Sequence, residues 1–244
     1  MKGISLNKAL QHFTWLDSII MTINNSNKKK ILCTLAVVIS ISFCLIQTVA
    51  GENEIINYRE TISALQELYQ AEITASKTYS YFAQKAEKEK YYSISRLFSS
   101  LSESETVHAR NFNSILNDLG VESKKIPDQD IKIADTKTNL RWALKVELSE
   151  IDTNYPKVIK KIKTEGNKRA LEDITYAWKS EMQHRDLLRK MKSALGFFFG
   201  KVVDKLEEAK YYHVCQRCGA TVFKLPEKTC IICGSPVSMY KHIK

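Results

Sequence analysis

Four long stretches between Ile55 and Leu195 carry apolar residues at a helical period. In the first, from Ile55 to Lys88, residues Ile62, Leu65, Leu68, Tyr69, Ile73 and Tyr79 recur at helical spacing. The second runs from about Tyr91 to Leu119 and stops at Gly120, a residue that ends helices readily. The third covers about Thr138 to Lys163, with a kink expected at Pro156. Gly166 and Asn167 then turn tightly into a fourth, about Lys168 to Leu195. The segment VESKKIPDQDIKIADTK between the second and third is polar, proline-bearing and longer than a helical hairpin needs. Four long helices with one long middle connection predict an all-α four-helix bundle. Only 8 Gly and 4 Pro in 244 residues favour helices over a turn-rich β fold.

A different pattern precedes the bundle. Residues 31–50, ILCTLAVVISISFCLIQTVA, contain no charge and follow Lys28, Lys29 and Lys30. The basic flank, the apolar run and the small residues before Gly51 read as a signal peptide or membrane anchor, with residues 1–30 as a leader. Met21 would be a natural start for such a signal, although its apolar region is longer than in most signals. Either fate places everything after Gly51 outside the cytoplasm, exported or membrane-associated through residues 31–50. The net charge of +10 is spread along the chain, and its densest run serves topology, so no nucleic-acid partner is expected.

The chemistry lies in two sets of paired residues. Glu105/His108 and Glu181/His184 are both Glu-x-x-His, a spacing that puts the two side chains on one helix face. Two of the chain's five histidines fall in these motifs. Glu72 lies 33 residues before Glu105, and Glu147 lies 34 before Glu181, so each half reads as a helix with one Glu followed by a helix with Glu-x-x-His. A carboxylate-bridged pair of metal ions in a ferritin-like bundle needs that repeat. Glu150 adds a second carboxylate one turn after Glu147. Oxygen donors with two imidazoles suit iron or manganese. The second set is Cys215/Cys218 and Cys230/Cys233, two Cys-x-x-Cys-Gly knuckles with eleven residues between them. Four thiolates at that spacing make a tetrahedral cage for iron or zinc. The tail from 210 to 244 is too small to fold on a hydrophobic core and needs that metal, and residues 196–209 read as a linker.

Together, Glu72, the SESETVHA run around Glu105 and His108, VELSEIDTNYP around Glu147 and Glu150, SEMQH around Glu181 and His184, and the four-cysteine tail resemble the rubrerythrin family. The resemblance implies a ferritin-like diiron bundle at 51–195 and a small C-terminal rubredoxin-like metal-binding domain at 210–244. It implies Glu72, Glu105, Glu147, Glu181 and His184 as iron ligands, with His108 and Glu150 exchanging on one iron as its redox state changes. It also places the hydroxyls of Tyr79 and Tyr155 beside the site. The implied cofactors are two Fe in the bundle and one Fe in the cysteine cage, with Zn the alternative there. The first knuckle reads CQRC and the second CIIC, both without the proline often seen in rubredoxin-like knuckles. The implied activity is a peroxidase reducing hydrogen peroxide to water in oxidative-stress defence, an oxidoreductase fed by an external electron donor and assembled as a homodimer in which one chain's tetrathiolate site lies near the other chain's diiron site. Two other readings fit the same residues: a ferroxidase handling iron, and a metal sensor with a structural zinc tail.

Overall fold

The structure is a computed structural model that describes residues 58–124, 130–194 and 211–243. The expected leader, the apolar segment 31–50 and the linker 196–209 lie outside these residues. Among the described residues no helix is long and apolar enough to cross a membrane.

The bundle consists of α1 (Arg59–Lys88), α2 (Tyr92–Asp118), α3 (Thr136–Ser149), α4 (Tyr155–Ile162) and α5 (Lys168–Ala194). α3 and α4 form one rod interrupted by a π-helical turn, Glu150–Asn154, so the bundle keeps four rods. The sequence places a proline kink in this rod. The break takes the form of the π turn, which contains Asp152, the residue four before Pro156 whose carbonyl a proline cannot bond.

Side chains fix where several helices begin. Asp135 caps α3 by accepting from the Thr138 N–H at 3.0 Å, and Asn167 accepts from the Ala170 N–H at 3.0 Å before α5. The start of α1 is capped from a distant turn. Both Glu165 carboxylate oxygens accept from backbone N–H groups, of Glu60 and Thr61, at 2.8 Å.

Two apolar clusters fill the bundle. One gathers Tyr79, Phe82, Phe98, Leu101 and Leu188, and the other Leu65, Phe112, Ile115, Tyr155 and Ile174. Beyond the bundle, β1 (Tyr212–Cys215), β2 (Thr221–Val222) and β3 (Tyr240–Ile243) form an antiparallel sheet in the order β2-β1-β3. Alternation along the strands turns Tyr212, Val214 and Ile243 into the first bundle cluster. The small sheet thus borrows the bundle's core, which it could not build alone.

Candidate metal centres

Six of the seven bundle residues expected as metal ligands converge at one buried point. Glu72 comes from α1, Glu105 and His108 from α2, Glu147 from α3, and Glu181 and His184 from α5. Each is at most 6% exposed. Their ligand atoms form two overlapping groups, Glu72/Glu105/His108/Glu181 and Glu105/Glu147/Glu181/His184, and within each the atoms lie within 4.8 Å of one another. Glu105 and Glu181 belong to both groups, as residues that bridge two metals must.

The histidines mirror each other. His108 Nδ1 lies 2.9 Å from Glu105 and 3.1 Å from Glu181, while His184 Nδ1 lies 2.9 Å from Glu181 and 3.3 Å from Glu105. Tyr79 donates to Glu147 at 2.6 Å, and Tyr155 donates to Glu72 at 2.5 Å. Each apolar cluster therefore contributes one tyrosine to an outer carboxylate of the site.

Electrostatics show what this cluster requires. Burial raises the Glu72 carboxyl to about 7 against the pull of His108. Burial and repulsion from Glu181 hold Glu147 well above the usual carboxylate range. Burial alone would raise Glu181, but the imidazoles of His184 and His108 pull it far below that range. Burial disfavours charge on His184, yet Glu105 and Glu181 raise it to about 9, and carboxylates likewise raise His108. Without cations, the site must hold protons in their place. Glu105 Oε2, His108 Nδ1, Glu147 Oε2 and Glu181 Oε1 are buried without a hydrogen-bond partner of good geometry. Buried carboxylates left so exposed to one another cost several kcal/mol each unless paired or metal-bound, roughly 2–7 for even a neutral polar group. The donor set of hard oxygens and imidazoles fits two iron ions.

Glu150 stands apart from both ligand groups. It occupies the first position of the π turn, and its Oε1 accepts from Asn154 Nδ2 at 2.9 Å. Its carboxyl lines a cleft of about 330 Å³ that opens onto the site past Thr78, Tyr79 and Trp142. Of the two residues expected to exchange, His108 is the one seated in the cluster.

The four cysteines also converge. Cys215 and Cys233 sulfurs lie 3.8 Å apart, and Cys218 and Cys230 3.6 Å. The edge of a tetrahedron built on metal–sulfur bonds of ~2.3 Å is about 3.8 Å, so the cage fits a single iron. The backbone N–H groups of Arg217 and Cys218 point at the Cys215 sulfur, and that of Ala220 at Cys218.

The two sites touch. His108 Nε2 donates to the Cys218 carbonyl at 3.2 Å, which fixes the proton on Nε2 and leaves Nδ1 free for metal. Thr221 Oγ1, which donates to the Gly219 carbonyl at 3.0 Å, faces His184 Nε2 at 3.3 Å. Ser104 also donates to the Gly219 carbonyl, at 2.7 Å, and Ser180 lies 3.4 Å from His184 Nε2. These outer contacts were missed in the sequence. A signal for the serines was present, because both motifs read Ser-Glu-x-x-His. Nothing local pointed to Gly219 or Thr221.

The rubrerythrin family model matches residues 64–192. A rubrerythrin of Clostridium perfringens is 31% identical over 163 residues, covering 66% of this chain and 82% of its own. Rubrerythrin-2 of Clostridium acetobutylicum is 27% identical over 174 residues, covering 71% and 91%. Among solved structures, nigerythrin in a mixed-valent state shares the fold at a TM-score of 0.64 and 23% identity, over 75% of this chain and 86% of that one. The match spans nearly the whole bundle, including all six converging residues, and this chain, with a diiron site and a four-cysteine cluster suited to a single iron, belongs to the rubrerythrin family.

Proposed function

We propose that this chain is a non-haem diiron peroxidase that reduces hydrogen peroxide to water in oxidative-stress defence. Each peroxide takes two electrons and two protons and leaves as two waters. The observation that carries the reading is the seating of the first cysteine knuckle directly on His108. A storage or ferroxidase site has no use for that contact. When bound, the diiron pair supplies the two electrons, and the tetrathiolate iron supplies the route by which an external donor replaces them.

The protein's own part is to hold and to admit. Glu105 and Glu181 tie the two ligand groups together, and the Cys218 carbonyl keeps His108 in the tautomer that offers Nδ1. Burial keeps the hydroxyl protons on Tyr79 and Tyr155, so both act as donors to the site's carboxylates. The cleft beside Trp142 passes a small oxidant, and Glu150, its carboxyl raised by burial, stands in the wall. The exchange of His108 and Glu150 requires Glu150 to leave Asn154 and rotate into the cluster.

An anaerobic peroxide titration of the reduced, iron-loaded chain, followed by visible absorption, tests the proposal. The ferric tetrathiolate bands are expected to return in proportion to added peroxide. Bands that stay bleached while added Fe(II) is rapidly oxidised by dioxygen would move the assignment to iron handling. Zinc in the tail would move it to sensing. Export of the region after Gly51 and assembly as a homodimer belong to the same proposal, although the cysteine cage lies against the diiron site of its own chain, so pairing of chains is not needed to bring the two centres together. A reporter enzyme fused after Lys244 that is active in the cytoplasm, or a monomeric mass in solution, would remove the respective part.

A further inference from the structure

The residues inside the two knuckles are used differently. In the second, Ile231 is 76% exposed. In the first, Gln216 and Arg217 are spent on the bundle. The guanidinium of Arg217 pairs with Asp173 of α5, lies 3.5 Å from Glu172, and sits over the Tyr176 ring at 5.4 Å. Asp173 is itself buried, its side chain 2% exposed. On the other side, Arg110 donates to the Gln216 carbonyl and Asn111 Nδ2 to the Arg217 carbonyl at 2.8 Å, both from α2. Gln216 Nε2 donates to Glu103 at 3.2 Å. The knuckle is thus gripped from α2 and α5, the helices that carry His108 and His184.

We infer that Arg217 and Asp173 form a latch that holds the first cysteine knuckle against the diiron site, making Arg217 a positioning residue for electron passage between the two centres. The inference rests on the peroxidase reading for its functional consequence, but the latch itself does not. An ion pair to a buried carboxylate joins the knuckle to α5, and the planar fork of arginine also stacks on Tyr176. Loss of Arg217 leaves Asp173 with Arg169, 3.9 Å away, so the bundle keeps a cation for its buried carboxylate and is expected to stay folded.

The test uses the full iron-loaded chain with Arg217→Ala, Arg217→Lys and Asp173→Asn. Each is reduced with dithionite and mixed rapidly with hydrogen peroxide, and oxidation of the diiron site and of the tetrathiolate iron are timed separately. Arg217→Ala is expected to slow tetrathiolate reoxidation by up to about fivefold, the factor a part-exposed ion pair commands in an equilibrium. Diiron oxidation and iron content should be unchanged. Arg217→Lys should recover part of the rate, having the charge without the fork. Wild-type timing in Arg217→Ala would overturn the inference. If the wild type itself fails to reoxidise, the peroxidase reading has failed, and the latch is read by hydrogen exchange of the 215–219 amides. Faster exchange in Arg217→Ala supports the latch and equal exchange overturns it. Should that variant lose iron, the same two readouts on Asp173→Asn decide.

Discussion

At the scale of single residues, two glycines that look alike in the sequence carry different duties. Gly219 and Gly234 each follow the second cysteine of a knuckle and adopt φ of +80° and +71°. A side chain at either would strain the turn by of order 1–3 kcal/mol. Only at Gly219 would it also collide, since a Cβ there falls 2.3 Å from His108 Nε2 and 2.6 Å from Ser104 Oγ, whereas Gly234 has open space. Gly219→Ala is therefore expected to separate the two centres and slow tetrathiolate reoxidation, while Gly234→Ala retains that rate. Equal rates in stopped-flow absorption would mean that the knuckle's seat on His108 is unimportant. Tyr79 poses a related question. Tyr79→Phe removes the donor to Glu147 and should cost about 1–3 kcal/mol of stability in thermal melts. If peroxide kinetics are unchanged with that loss, the hydroxyl only supports the carboxylate.

At the scale of elements, the helices were legible because burial of one face imposes a 3.6-residue period, and the observed α2 ends within a residue of where the pattern ended. The π turn was not. Its extra residue leaves no mark on apolar spacing over so short a span, and Pro156 marked a break without saying what form it takes. That turn decides where Glu150 points, which is why a carboxylate one turn from Glu147 stands in the cleft wall and not among the ligands. The cap on α1 was equally hidden, because Glu165 lies more than a hundred residues from the N–H groups it accepts from. Burial works against the charge on Glu165, but the bonds from Thr61 and the backbone outweigh it and lower its pKa in the fold. A lowered carboxyl contributes stability that is complete above its unfolded pKa and disappears as pH falls through the folded value. Glu165→Gln should then lower stability at pH 7 by about 1 kcal/mol, and the gap to wild type should close on acidification. A constant gap in denaturant midpoints from neutral to acidic pH would contradict this role.

At the scale of the molecule, the bundle is arranged to exchange protons for metal. In the metal-free chain at pH 7, carboxylates raise both ligand histidines, while burial raises Glu147 and brings Glu72 to about 7. Iron must displace those protons. Anaerobic addition of Fe(II) to the apo chain in weak buffer should release about two protons or more per loaded site, and the apparent affinity should rise with pH from below 7 toward 9. An indicator dye reports the release directly, and no release would mean that the histidines and carboxylates already stand deprotonated in the metal-free chain.

The sequence by itself determined the helical class, the pairing of its halves, the six side chains that converge and the four-cysteine cage. Each depends on spacing along one helix or one turn, where chain geometry alone brings atoms together. What only the tertiary structure decided lies between elements. The cysteine module rests on α2 and α5 and supplies the outer partners of both ligand histidines. Glu150 is turned out by the π turn, and Gly219 is confined by His108. None of these follows from a local period, because a contact across a hundred residues is set by how faces pack and not by which residues are neighbours in the chain.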